Sequence, residues 1–227
     1  MCGRFAITLP PDAMAQLFAA LPVNDLPEVP NFNVCPTSRI HAVLAGEGGR
    51  RLVALRWGFL PVWYKTPADG PLLINARAET VAEKPAFRAA IRTRRCLIPV
   101  SGFYEWTKDA KGNRLPWYIH PREGEVVAFA GLWQDWQGTE GETLGTCAIV
   151  TTGANEALSH IHTRMPVTIA APDWPLWLGE AGHGAAPLMR PGPEDLFAAH
   201  RVGRAVNSNR ASGPELIDPL IEPFEDD

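Results

Sequence analysis

Between Arg95 and Thr152 the chain sets down five apolar segments in quick succession: "RCLIPV", "GFYEW", "PWYIH", "EVVAFAGLW" and "TLGTCAIVTT". Turn segments rich in Gly, Lys, Asp or Glu separate most of them. Short apolar runs bounded in this way predict strands rather than helices. A chain that places so many strands so close together builds a bent sheet or a barrel, which manages their exposed edges and leaves helices to the periphery. The longest apolar runs, such as Val126 to Trp133, fall far short of the ~20 residues that span a bilayer. No basic stretch followed by an apolar core opens the chain, so no signal peptide is expected. The protein is therefore expected in the cytoplasm, without membrane partners.

The rest of the sequence fits around that block. In "CGRFAITL" Phe5, Ile7 and Leu9 alternate with Cys2, Arg4 and Thr8, so a strand with Cys2 and Arg4 on the face opposite the core is predicted. Met14, Leu17, Phe18 and Leu21 follow helical spacing after Asp12, a candidate N-cap. Residues 22–39, rich in Pro and Asn, read as loop. Ile40 to Ala45 and Arg51 to Trp57 flank "GEGG" as a hairpin. A helix is predicted over Glu83 to Arg92 and a short one over Asn155 to Ile161, with two more beginning near Pro172 and Pro193. No repeat or linker interrupts the 227 residues. The expected fold is α+β: a single domain over residues 1–227, with a strand-rich bent sheet or β-barrel-like core and peripheral helices.

Charge and cysteine usage exclude several classes of function. The net charge of −4 does not advertise nucleic-acid binding. However, the tail over about 215–227 holds six of the 25 acidic residues and no Lys or Arg. Without it the chain carries a small positive balance, which leaves room for a local basic groove. Cys2, Cys35, Cys96 and Cys147 stand far apart, and His160 with His162 is the only close pair of metal-type residues. Neither a metal site nor a disulfide framework is expected, and no organic cofactor is implied.

Polar residues inside apolar segments mark the candidate site. Glu105 sits between Tyr104 and Trp106, where a partly desolvated carboxyl would have a pKa raised toward the range useful for proton transfer. Asn75 and Arg77 share a face if "LINARAET" is extended, and so do His162 and Arg164 in "HIHTRMP". An Asn amide can orient a nucleophile or substrate; an Arg fork suits phosphate. Each is also open to a plain reading as a surface carboxylate, a turn or a structural histidine.

In order along the chain stand "MCGRF", "NVCPT", "WGFLPVW", "INARAET", "GFYEW", "IVTTGAN" and "IHTRMP". This set resembles the SOS response-associated peptidase family, from Cys2 to about Asn209. The resemblance implies a protein that captures abasic sites in single-stranded DNA and shields them during the DNA-damage response. The nucleophile implied is Cys2, exposed once Met1 is removed. A free α-amine condenses with the aldehyde of a ring-opened abasic sugar, and the thiol of the same residue then closes a thiazolidine. An internal cysteine lacks the basic amine. The amine has a reference pKa of ~7.7–8.0 and the thiol ~8.5, so neighbouring groups have room to assist.

The implied catalytic partners are Asn75, which holds the Cys2 amine region, Glu105, which shuttles protons and helps release Met1, and His162, which protonates the sugar oxygen on ring opening. Arg4, Arg77 and Arg164 are the implied phosphate contacts, with Asn33 and Thr151 as neutral donors. Trp63 would stack on exposed bases, whereas Trp57 reads as a core residue. His160 and the basic run Arg88, Arg92, Arg94 and Arg95 read as structural or solvated. Cys35 stands where the family pattern has alanine. The resemblance leaves open strand cleavage by β-elimination, a cysteine peptidase acting in trans, and a non-covalent DNA-binding module. It implies a monomer, nucleoid-associated when bound to damaged DNA.

Overall fold

The computed structural model describes residues 2–23 and 25–220. Its strands are β1 (Phe5–Ile7), β2 (Ala20–Pro22), β3 (Asn31–Val34), β4 (Arg39–Leu44), β5 (Arg50–Trp57), β6 (Asn75–Arg77), β7 (Arg95–Val100), β8 (Gly102–Lys108), β9 (Arg114–Pro121), β10 (Val127–Gln137), β11 (Thr143–Gly153), β12 (Arg164–Pro166) and β13 (Phe197–Arg201). The helices are α1 (Pro11–Phe18), α2 (Ala90–Thr93), α3 (Glu156–Ser159) and α4 (Trp174–Leu178). Strands β11, β10, β7, β4 and β5 pair in that order, and a parallel pairing of β5 with β11 closes the ring. This is the barrel core expected from the apolar block. Closure leaves no free edge among those five strands.

A second sheet, ordered β13-β9-β8-β1-β3, packs against the barrel. Phe103 from β8 meets Phe129 of the barrel and Phe197 of β13, with ring centroids 5.6 and 5.4 Å apart. Phe5 from β1 lies 5.1 Å from Trp57. Full burial of each such side chain stabilises the fold by roughly 1.5–3 kcal/mol. Beyond the ring, the C-terminal half of β11 runs between β6 and β12. The 11-residue β11 therefore belongs to the barrel at one end and to the candidate site at the other.

Several sequence expectations are corrected in detail. Helix α1 starts from Pro10 rather than from an Asp12 cap, because Met14 donates its N–H to the Pro10 carbonyl at 2.9 Å and Pro11 fits the first turn. It ends at Ala19, in a left-handed conformation, and the chain enters β2. The helix predicted over Glu83 to Arg92 shrinks to α2 behind a run of turns. Pro85 in the middle of that segment has no N–H to donate. Residues 22–39 are not all loop, since β3 pairs with β1. No helix forms near Pro193; Asn155 holds the Gly192 and Pro193 carbonyls, and Glu194 accepts N–H groups of Glu156 and Ala157 at the start of α3. Arg95 from the basic run is not solvated either: it donates to the carbonyls of Trp177, Ile91 and Arg92. The part of the acidic tail over 221–227 lies outside the described residues.

Burial of His41 on β4 makes the fold sensitive to acid. The ring is 2% exposed, and burial lowers its pKa from 6.5 to about 4, with the Pro27 carbonyl opposing in part. The unfolded chain takes up this proton near pH 6.5, whereas the folded chain resists until about pH 4. Stability is complete above pH 6.5 and is lost as pH falls through that window, by about 3 kcal/mol. In urea unfolding, the stability difference between wild type and His41→Leu should shift by about that amount from pH 7 to pH 4. Parallel pH dependences would contradict the assignment to His41.

Candidate active site

Strand β1 is the second strand of its sheet, lying between β8 and β3, and both of its faces are covered. Phe5 and Ile7 enter the main core, while Ala6 joins Tyr104, Tyr118, Val202, Val206 and Leu216 in a second cluster. Arg4 lies opposite Phe5 and Ile7 as the alternation predicts, whereas Cys2 does not, and neither is open to solvent. Cys2 is fully buried in the main core, and Arg4 is only 7% exposed. The physical reason is the C-terminal segment around Val206 and Asn209, which covers the second face. Arg4 donates to Asn33 Oδ1 at 2.6 Å, to the Val206 carbonyl at 2.9 Å and to Asn209 Oδ1. Asn33 in turn donates to the carbonyls of Ser208 and Ala211. Cys35 lies beside this cluster, its thiol 3.3 Å from the Asn33 carbonyl.

Three distant segments converge on Cys2. The Tyr104 N–H donates to the Arg4 carbonyl at 2.9 Å, which sets the first residues alongside β8. From the barrel side, β6 aligns Asn75 with Ile149 of β11, and Asn75 Nδ2 donates to the Cys2 carbonyl at 2.9 Å. Trp57 steadies this approach by donating to the carbonyl of Ile74 at 3.0 Å. Glu105, 4% exposed on β8, presents Oε2 to His162 Nε2 at 4.0 Å. His162 follows α3, whose first turn is capped by the Asn155 side chain accepting from the Leu158 N–H.

Burial raises the pKa of both acids at this convergence. Burial raises the Glu105 carboxyl above the usual carboxylate range, against the pull of His162. Burial also pushes the Cys2 thiol far above its ordinary value, and the charge of Glu105 adds to the effect. The thiol faces the Arg4 carbonyl at 4.0 Å. His162 Nδ1 lies 2.9 Å from the Arg164 N–H and 3.1 Å from the Arg164 carbonyl. The amide N–H can only donate, so Nδ1 accepts from it and a neutral ring carries its proton on Nε2, facing Glu105.

The remaining sequence-predicted residues divide. Arg77 is exposed, and it sits opposite Thr151 in the β6–β11 register. Thr151 is fully buried; Arg164 donates to its carbonyl at 2.7 Å. Arg164 also grips Glu79 through two hydrogen bonds of 2.7 and 2.9 Å, which hold the Glu79 carboxyl below the usual range. Glu79 was not legible as a partner, although it lies inside "INARAET". Trp63 is 54% exposed, edge-on to Tyr64, and Trp57 is fully buried. Among the described residues, no three His, Cys, Asp or Glu side chains come together as metal ligands.

A closed barrel, a second sheet and a buried cysteine clamped between an Asn and a Glu–His pair define the class to which this chain belongs. It is a member of the SOS response associated peptidase (SRAP) family, whose profile matches residues 1–209. The chain is 37% identical to the abasic site processing protein YoqW of Bacillus subtilis over 224 residues, covering 96% of this chain and 99% of that protein. It is 29% identical to the abasic site processing protein YedK of Escherichia coli, covering 97% and 100%. A crystal structure of a protein from Bacteroides thetaiotaomicron shares the fold with a TM-score of 0.85 at 22% identity, over 97% of this chain and all of that one.

Proposed function

We propose that this protein processes abasic sites in single-stranded DNA by forming a covalent link at Cys2 after Met1 has been removed. The observation that carries the reading is the meeting of Asn75 and Glu105 at Cys2, with His162 beside Glu105. It agrees with the names of the relatives, which are abasic site processing proteins.

The electrostatics order the steps. Burial and the charge of Glu105 keep the thiol protonated, so the α-amine attacks the sugar aldehyde first. His162 Nε2–H supplies a proton to the sugar oxygen as the ring opens, and the proton leaving the anomeric hydroxyl restores it. The amine adds to the aldehyde carbon, and loss of water leaves an imine. Glu105, with its raised pKa, takes and returns protons in this step. The thiol then adds to the imine carbon, its proton passing to the nitrogen, and the five-membered ring closes. Overall one aldehyde and one aminothiol give one thiazolidine and one water. Asn75 holds the Cys2 carbonyl, fixing the residue that carries both nucleophiles. Arg77 supplies a phosphate contact, and Arg164 a second when Glu79 yields it; Trp63 offers an exposed ring for a base. Arg4, Asn33 and Thr151 support this surface from behind.

The test is direct. Mass spectrometry of the purified protein should find a chain beginning at Cys2. Incubation with a single-stranded oligonucleotide carrying one abasic site should give a denaturation-resistant adduct, one-to-one and lighter by one water than its parts. Reversible binding with no adduct would reject the covalent reading in favour of a simple binding module. A peptidase acting in trans needs a readily formed thiolate, and the buried, protonated thiol beside a carboxylate opposes it.

A further inference from the structure

We infer that Arg201, seated on Trp117, forms an additional phosphate subsite for the DNA strand flanking the lesion; the inference rests on the single-stranded DNA reading above. The sheet places these residues in one row. Glu105 on β8 is paired with Trp117 on β9, and Trp117 is paired with Arg201 on β13. Directly paired residues of neighbouring antiparallel strands present their side chains on one face. The backbone of Arg201 therefore lies two strand spacings, about 10 Å, from that of Glu105. The row leads from the reactive cysteine toward the sheet edge.

The side chains follow that row. The guanidinium carbon of Arg201 lies 5.7 Å from the centre of the Trp117 ring. His160, two residues before His162, meets the same indole edge-on at 5.8 Å and 89°. Trp117 Nε1 is committed to Thr107, so its ring offers faces and no donor. His160, predicted as a structural residue, thus borders the row that runs away from Glu105.

Arg94 shares with Arg201 a sealed Nε and no side-chain hydrogen bond among the described residues; what sets Arg201 apart is its seat on Trp117 in the row from Glu105. Arg4, Arg50, Arg95 and Arg164 all donate to carbonyls or side-chain acceptors. Among the described residues the Arg201 side chain makes no hydrogen bond or ion pair, and its Nε is sealed from solvent without an acceptor. An indole face attracts the cation but accepts none of its directed N–H bonds. A phosphate oxygen supplies a charge and acceptors for the terminal guanidinium nitrogens, which the indole face cannot. Arg77 then serves the strand from the barrel side and Arg201 from the second sheet.

The test measures binding of single-stranded DNA without a lesion by fluorescence anisotropy across a salt series. Arg201→Ala should weaken binding several-fold at low salt, and flatten the log–log salt slope by about 0.7, the loss of one single-strand phosphate contact. Arg201→Lys should restore most of the slope. With lesion-bearing strands in a Cys2→Ala background, where no stable adduct forms, shortening the strand on one side of the lesion, and not on the other, should abolish the difference made by Arg201→Ala. Urea unfolding checks that each variant is folded, and Arg201→Gln replaces Arg201→Ala if the latter is not. An unchanged slope in a wild-type background that forms adduct overturns the subsite alone. Failure of wild type to form adduct rejects the parent reading, whatever the slope.

Discussion

Replacing Cys2 by Ala is expected to remove the denaturation-resistant adduct altogether, a loss of at least ~10²-fold in the rate of its formation. The variant keeps an α-amine but no sulfur. It can still form an imine with the abasic aldehyde, and borohydride should trap that imine as a secondary amine. Without the reductant nothing should survive denaturation. The complementary variant retains the thiol and carries an uncleaved residue ahead of Cys2. Its nitrogen is then an amide, and both the borohydride-trapped and the stable product should disappear. A stable adduct on Cys2→Ala without reductant would exclude the thiazolidine route. Because Cys2 is fully buried, Ala also leaves a small void, so urea unfolding should accompany the assay.

Trp57→Ala should be the most damaging core substitution, destabilising the fold by about 3–5 kcal/mol. That is a large share of the ~5–15 kcal/mol that holds a domain folded. Trp57 is fully buried, packs against Phe5 and stands opposite Cys147 where β5 joins β11 to close the barrel. Its N–H and carbonyl also bind the turn at Ser38 and Thr37, at 2.9 and 2.7 Å. Trp57→Phe keeps an aromatic ring but drops the bond from Nε1 to Ile74, the residue before Asn75. It should cost less stability than Ala while slowing adduct formation, because Asn75 loses its anchor. Equal stability of wild type and Trp57→Ala in urea would show that barrel closure does not depend on this residue.

The contrast between long and short strands explains what the sequence could reveal. β10 and β11 are each 11 residues long and bury most of their length, so their apolar character survives any choice of window. β3 reads "NFNV" and β6 reads "NAR"; neither has the composition of a strand. They are extended because β1 and β11 offer edges to pair with, which is information held elsewhere in the chain. The site divides in the same way. Asn75, Glu105 and His162 stood out as polar residues in apolar settings, and Cys2 through the resemblance; Asn75 and Glu105 meet at Cys2, with His162 beside Glu105. The partner of Arg164 could not be read, since nothing local distinguishes Glu79 from the other carboxylates. Alternation placed Arg4 on the face opposite the core, and nothing local showed that the chain returns near Asn209 to cover that face.

That return has a consequence for how the protein is made. The side chain of Arg4 is tied to Val206 and Asn209, more than two hundred positions later. The opening strand therefore cannot reach its final surroundings until nearly the whole chain has emerged from the ribosome. Contacts of such sequence separation form late and slow the folding reaction. During that interval the C-terminal elements do not yet cover the segment that carries Arg4. After folding, the same segment lies beneath the last elements to arrive. The first strand and the last elements of the chain thus complete the fold together.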